Sequence, residues 1–216
     1  MHAAPHFRIE SSDDLAAFID ARHFATLVVA SEEGPIAAHL PMFLIRDAAG
    51  EPASLEGHVA RNNPLGSAAA KPVKALAIFM GPDAYVTPQS YPSKREHGRV
   101  VPTWNYTAVH VGGTLETFSD ATGLRQQVSL MTDVMERPSA AAWKVSDAPE
   151  DYLEQMIRGI TGVRLTISSL EGIAKLSQNR PEPDRAGVVA SFLGTGDPSA
   201  RRLAEEMIQL TTKTEK

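Results

Sequence analysis

A mainly β fold with added helices, an antiparallel barrel rather than a layered α/β sheet, is what the sequence predicts. Short apolar runs rich in Val, Ile and Leu recur at 25–30, 36–45 and 73–81, each bounded by turn-forming residues. Helical patterns are scattered and do not alternate with strands in the βαβ rhythm of a parallel sheet. With 43% hydrophobic residues in 216, the chain can bury a substantial core. No Gly/Ser linker, charge block or internal repeat divides it, so one domain over 1–216 with a C-terminal helical extension is expected.

The first element is SSDDLAAFIDAR, where Ser12 suits a helix cap, Asp13 and Asp14 suit the positive helix end, and Leu15, Phe18 and Ile19 form one apolar stripe. ATLVVA (25–30), the turn SEEGP and IAAHLPMFLI (36–45) read as a hairpin interrupted at Pro41. Proline cannot donate to a ladder. His39, Leu40 and Pro41 are therefore expected at a bulge or edge, where side chains can turn toward a ligand.

ASLEGHVARNNPLGSAAA (53–70) reads as a strand, a tight corner and a short helix with Asn63 as N-cap and Pro64 in its first turn. The free amides of that turn lie beside Arg61, Asn62 and Asn63, which suits a phosphomonoester. The same grammar also describes a plain capped helix beside a solvated arginine. VKALAIFMG (73–81) is a third strong strand, which DAYVT (83–87) continues or turns from.

The stretch 85–113, YVTPQSYPSKREHGRVVPTWNYTAVHVGG, concentrates the chemistry-bearing residues. It combines Tyr85, Tyr91, Trp104 and Tyr106 with Lys94, Arg95, His97, Arg99 and His110. Pro88, Pro92 and Pro102 remove donors and fix φ, so most of this stretch is expected as a long ordered loop. Disorder fits poorly with Trp104, which is costly to leave in water.

Beyond it, 106–118 reads as a long central strand, with Gly112 and Gly113 marking a bulge or a close backbone approach. The segments 121–136 and 149–160 are amphipathic helices whose Met131, Met135 and Met156 are expected in the core. GVRLTISSLEGIAKL (162–176) reads as a strand pair and SQNRPEPDRAG (177–187) as a polar loop. DPSARRLAEEMIQL (197–210) reads as a helix capped by Asp197.

The formal charge of -5 argues against a broad DNA-facing surface, because nonspecific DNA binding rests on neutralising phosphates. The absence of cysteine excludes disulfides and thiolate metal sites. No uncharged run approaches the roughly 18 residues of a membrane span, so a soluble, cytoplasmic protein is expected.

The segments ATLVV, EGHVARNNP, IFMGPDAYVTP, YPSK-EHG-VVPTWNY-VH and KLSQNRPEPDR resemble the PaiB family of FMN-binding negative transcriptional regulators nearly end to end. The EHGRVVPTWNY string is long enough to be specific. The resemblance implies an FMN-binding split barrel related to pyridoxamine-phosphate oxidase-like flavoproteins, built as a homodimer with flavin sites at the subunit interface. It also implies a role in restraining sporulation and degradative-enzyme genes. By analogy, His39, Leu40, Pro41 and the strand 57–60 with His58 and Ala60 would face the isoalloxazine. Arg61, Asn62 and Asn63 would hold the phosphate, and Lys94, Trp104 and Asn105 would reach the same cleft from the loop or across the dimer. Where the family shows an aromatic before Tyr-Pro-Ser-Lys the chain has Ser90, and where the family shows Lys-aromatic-Lys before Leu-Ser-Gln-Asn it has Ile173, Ala174 and Lys175, departures that imply weaker flavin stacking.

Other chemistries find less support. His58, His97 and His110 lack an HxxxH or HExxH spacing, so a metal site is not expected. No G-x-S-x-G elbow supports a serine nucleophile, and neither Met-striped helix is followed by a basic recognition helix. Two functions therefore stand: an FMN-binding regulator acting through its flavin or a protein partner, with direct DNA contact doubtful, and an FMN-dependent split-barrel oxidoreductase.

Overall fold

Alternating burial shapes the strands of the computed structural model, which describes residues 1–214. Strand β1 (Arg8–Ile9) precedes helix α1 (Ser12–Asp20), and then come β2 (Phe24–Ser31), β3 (Gly34–Pro41), β4 (Phe43–Arg46) and β5 (Pro52–Ala60). Helix α2 (Pro64–Ala68), strand β6 (Val73–Val86), helix α3 (Ser93–His97) and strand β7 (Thr103–Phe118) follow. The remainder is α4 (Ala121–Glu136), α5 (Glu150–Arg158), β8 (Ile160–Lys175), α6 (Glu182–Leu193) and α7 (Pro198–Thr214). One eight-stranded sheet runs in the order β3-β2-β6-β7-β8-β5-β4, with β1 on β8. The pairings β1–β8, β2–β3, β2–β6, β4–β5 and β5–β8 are all antiparallel. Among the described residues no helix is long and apolar enough to cross a membrane.

The chain gathers into two compact units. A terminal unit comprises 1–11, 80–109 and the segment from Glu171 on, and a central unit comprises 12–79 and 110–170. Strands β6, β7 and β8 each contribute residues to both.

In the central unit, α1 buries Leu15, Ala16, Phe18 and Ile19, the stripe its sequence predicts plus one alanine. The hairpin β2–β3 sets Phe24 opposite Pro41 and Ser31 opposite Gly34, whose φ of 120° needs glycine. Pro41 ends β3 with no ladder donor to lose. At Gly113 a Cβ would collide with the Thr166 carbonyl oxygen, so the glycine pair marks a close approach of backbones. Helix α4 is capped by Asp120, which accepts from the Gly123 amide at 2.7 Å.

The methionine stripes do not form core as expected. Leu124, Gln127, Leu153 and Ile157 are the buried residues of α4 and α5, while Met135 and Met156 are exposed. The expected strand pair at 162–176 is a single 16-residue strand. Its two halves have different partners: β5 pairs with 160–166, and β1 pairs with Gly172 and Ile173. The SSLEG sequence mimics a turn, but ladder bonds along both halves favour extension.

The terminal unit packs Val86, Tyr91, Leu176, Val188, Phe192, Leu203, Ala204 and Met207 into one cluster. Helix α7 presents Ala200, Leu203, Ala204 and Met207 at helical spacing, and Asp197 Oδ1 accepts from the Ser199 amide at 2.8 Å. Helix α6 occupies much of the expected polar loop. Its prolines sit before or within the first turn, where amides lack helical partners anyway, and Glu182 and Asp184 suit the positive end. Gly187 is required there, since a Cβ would strike the Ser90 carbonyl oxygen. The expected long loop is likewise mostly structured. Helix α3 takes 93–97, Gly98 ends it at φ 68°, and β7 begins at Thr103, which leaves a short irregular link.

One histidine couples the central core to pH. The His23 ring stacks on Phe43 with centroids 4.4 Å apart, and its Nδ1 is buried without a hydrogen bond. Burial holds its pKa below the usual imidazole value against the opposing pull of Asp20. The unfolded chain therefore binds this proton more tightly. Stability is intact above about pH 6.5 and is lost as pH falls toward the lowered folded value. Urea midpoints should drop more between about pH 7.5 and about 5.5 in the wild type than in His23→Gln. Equal drops would exclude His23 as the cause.

Candidate functional site

The corner after β5 is held by local bonds that its sequence specifies. The Asn63 side chain accepts from the Leu65 amide at 3.0 Å and so caps α2, and the Asn63 amide donates to the Ala60 carbonyl at 2.9 Å. Across from it, the Arg61 amide donates to the Gly159 carbonyl at 2.9 Å. The Arg61 Nε donates to the Arg158 carbonyl at 2.5 Å. The guanidinium is thereby oriented by the backbone at the end of α5, while its terminal nitrogens make no bond to the described residues. Asn62 is exposed. It lines an open groove of about 980 Å³ with Ser31, Glu32, Glu33 and Ser67. The two glutamates disfavour an anion in that groove, so an anion at this corner belongs on the Arg61 side.

Ala60, Arg61, Asn62 and Asn63 thus form one contiguous corner of the central unit. His39 is exposed near the end of β3, with Nδ1 3.0 Å from Thr26 Oγ1 and its ring stacked 6.5 Å from Phe24. Pro41 is exposed, and its carbonyl lies so near β5 that a Cβ on Gly57 would come within 2.5 Å of it. Leu40 is buried at 3% exposure and contributes core rather than a ligand-facing side chain. His58 is half-buried, with Nδ1 2.9 Å from Gln127 Oε1 on α4. Nothing in the sequence announced Gln127, a polar residue on a helix face otherwise read as apolar.

Lys94, Trp104 and Asn105 belong to the terminal unit. Lys94 is half-buried on α3, and Trp104 is 52% exposed with its ring edge-on to Tyr85 at 6.2 Å. Asn105 is fully buried. Its Nδ2 donates to Ser177 Oγ at 3.0 Å, and Ser177 Oγ donates to its Oδ1 at 3.1 Å, so its amide is committed inside the unit. The same region holds a lysine to which the sequence reading gave no binding role. Lys175 Nζ donates to Thr103 Oγ1 at 2.6 Å, and burial, reinforced by Arg180, holds that ammonium below the usual lysine range. The run KLSQNR was the available signal. Among the described residues no three His, Asp or Glu side chains gather into a metal-holding group.

Comparison with known proteins places this architecture. A family model described as "Putative FMN-binding domain" matches residues 1–169. The Bacillus subtilis "Protease synthase and sporulation protein PAI 2" is 30% identical over 211 residues, covering 96% of each chain. An Aspergillus fumigatus protein is 37% identical over 180 residues, covering 67% of this chain and 68% of its own. Among solved structures, the FAD and heme binding protein from Mycobacterium smegmatis matches with a TM-score of 0.59 at 16% identity, over 83% of this chain and 78% of that one. The flavocytochrome from Azotobacter vinelandii matches with a TM-score of 0.60 at 13% identity, over 86% and 78%. Those two likenesses show a shared fold, the antiparallel split barrel with peripheral helices. The chain belongs to the PaiB family of FMN-binding-domain proteins.

Proposed function

We propose that this protein binds FMN at the Arg61 corner, works as a homodimer, and influences transcription through its flavin or a protein partner rather than by reading DNA. The observation that carries the flavin reading is the Arg61 guanidinium, fixed at Nε and open at its terminal nitrogens, beside the exposed Asn62 amide. A fixed fork of donors suits a phosphomonoester. When bound, FMN supplies the redox chemistry of its ring, and the chain's own part is to hold and orient it.

Two further features support the rest. Leu130, Met135, Trp143, Tyr152 and Met156 stand exposed on α4, α5 and their connection, large apolar side chains that a second subunit would cover. Helices α6 and α7 follow one another closely, but the exposed face of α7 sets Arg201 and Arg202 beside Glu205, which is no recognition surface for phosphates. The net charge of -5 agrees. The sporulation role in the name of the Bacillus relative supports a regulatory reading.

The test is an absorbance titration with FMN, followed by sedimentation of the loaded protein. Binding of one FMN per chain in a dimer is expected. A monomer at micromolar concentration would remove the two-chain part, and tight operator binding by the pure protein would remove the partner part. Steady oxidation of NADH or NADPH by the loaded protein would turn the reading toward an oxidoreductase.

A further inference from the structure

Lys175 and Arg180 stand together in the terminal unit with no carboxylate paired to either among the described residues. Lys175 is half-buried and anchored to Thr103, and the Arg180 guanidinium lies over the Tyr91 ring at 5.0 Å. The acid nearest this group is Asp184, whose charge reaches Tyr91. That carboxylate is already engaged by the Ser93 amide at 3.1 Å and the Ser93 hydroxyl at 2.7 Å. Two like charges in a partly buried place repel unless an anion joins them.

The turn between the two cations is the second observation. Ser177 has φ 63°, a left-handed conformation that no other non-glycine among the described residues adopts. Several bonds enforce it. Asn105 exchanges hydrogen bonds with the Ser177 hydroxyl, and the Leu176 amide donates to Gln178 Oε1 at 2.7 Å. Gln178 Nε2 donates to the Ala174 carbonyl at 2.5 Å, and the Arg180 amide donates to the Ser177 carbonyl at 2.9 Å. The backbone from 174 to 180 is thereby fixed; the Lys175 ammonium is held by its bond to Thr103, and the Arg180 guanidinium by its place over the Tyr91 ring.

We propose that Lys175, Arg180 and Thr103 form a clamp for the phosphomonoester group of a second ligand, separate in its residues from the Arg61 corner. Charge selects the ligand class. Two fixed cations match a phosphomonoester, which carries about -1.5 to -2 at neutral pH, better than a singly charged carboxylate. A guanidinium fork, an ammonium and a hydroxyl offer donors in three geometries for three phosphate oxygens. The proposal does not depend on the flavin reading.

Calorimetric titration of the full chain with inorganic phosphate, repeated on FMN-loaded protein, tests it. Phosphate should bind in both states, with the site that persists on FMN-loaded protein about tenfold or more weaker in Lys175→Gln and in Arg180→Gln; in unloaded protein Arg61→Ala should remove only the separate Arg61 site and leave this one. Thermal unfolding of each variant separates lost binding from lost folding, and Thr103→Val should show a smaller loss with the charges intact. Equal affinity in the wild type and both charge variants, or no binding at about 10 mM phosphate, overturns the clamp. So does displacement of phosphate by FMN together with weaker FMN binding in Lys175→Gln, because the cations would then hold the flavin's own phosphate. Phosphate binding without any FMN binding would sink the flavin reading and leave the clamp standing.

Discussion

Arg61→Ala should weaken FMN by about ten- to a hundredfold while riboflavin affinity stays nearly the same. A charge-assisted pair to an anion is worth about 1.5 to 3 kcal/mol, and riboflavin lacks the phosphate that would make it. Removing the side chain also removes its bond to the Arg158 carbonyl. That carbonyl belongs to the exposed last residue of α5, where water can replace the lost donor, so the fold should persist. Fluorescence titration with the two flavins, alongside thermal unfolding, reads both effects. Equal losses for FMN and riboflavin would show that Arg61 shapes the corner instead of holding a phosphate.

Asp184→Ala should destabilise the protein by about 3 kcal/mol, since an ionised acceptor is lost from two donors in a buried place. Asp184 is 2% exposed, and it supplies to α3 the cap that Pro92 cannot, taking the Ser93 amide and hydroxyl together. The effect should concentrate in 88–100. Amide exchange there should speed up under conditions where α4 and α5 exchange as before, and Asp184→Asn should cost less because an amide oxygen still accepts. An unchanged urea midpoint in Asp184→Ala would mean that Ser93 finds water and that α3 does not lean on α6.

The corner at Ala60 to Asn63, the hairpin β2–β3, and helices α1, α4 and α7 were all legible because their causes are local. A cap and its amide lie within three residues, an apolar stripe repeats every three or four, and a proline ends its own ladder. Their sequences name their structures. The family resemblance likewise rested on contiguous strings, and the comparisons bear it out.

Other features depend on residues far apart in the chain. Helix α6 was read as a loop because its prolines look like breakers until they fall in the first turn, and because Gly187 answers to the Ser90 carbonyl, which no local pattern shows. Strand β8 continues through a turn-like SSLEG because β5 and β1 each pair with one half of it. Asn105, expected to reach the flavin cleft, holds Ser177 seventy-two positions away, and Lys175 meets Thr103 across the same separation. By itself the sequence determined the antiparallel class, the capped corner with its arginine, and the family. Only the tertiary structure decided which polar residues are spent on the scaffold and which cations, among the described residues, stand without a carboxylate, because burial and charge pairing depend on what the fold brings near rather than on what is next in the chain.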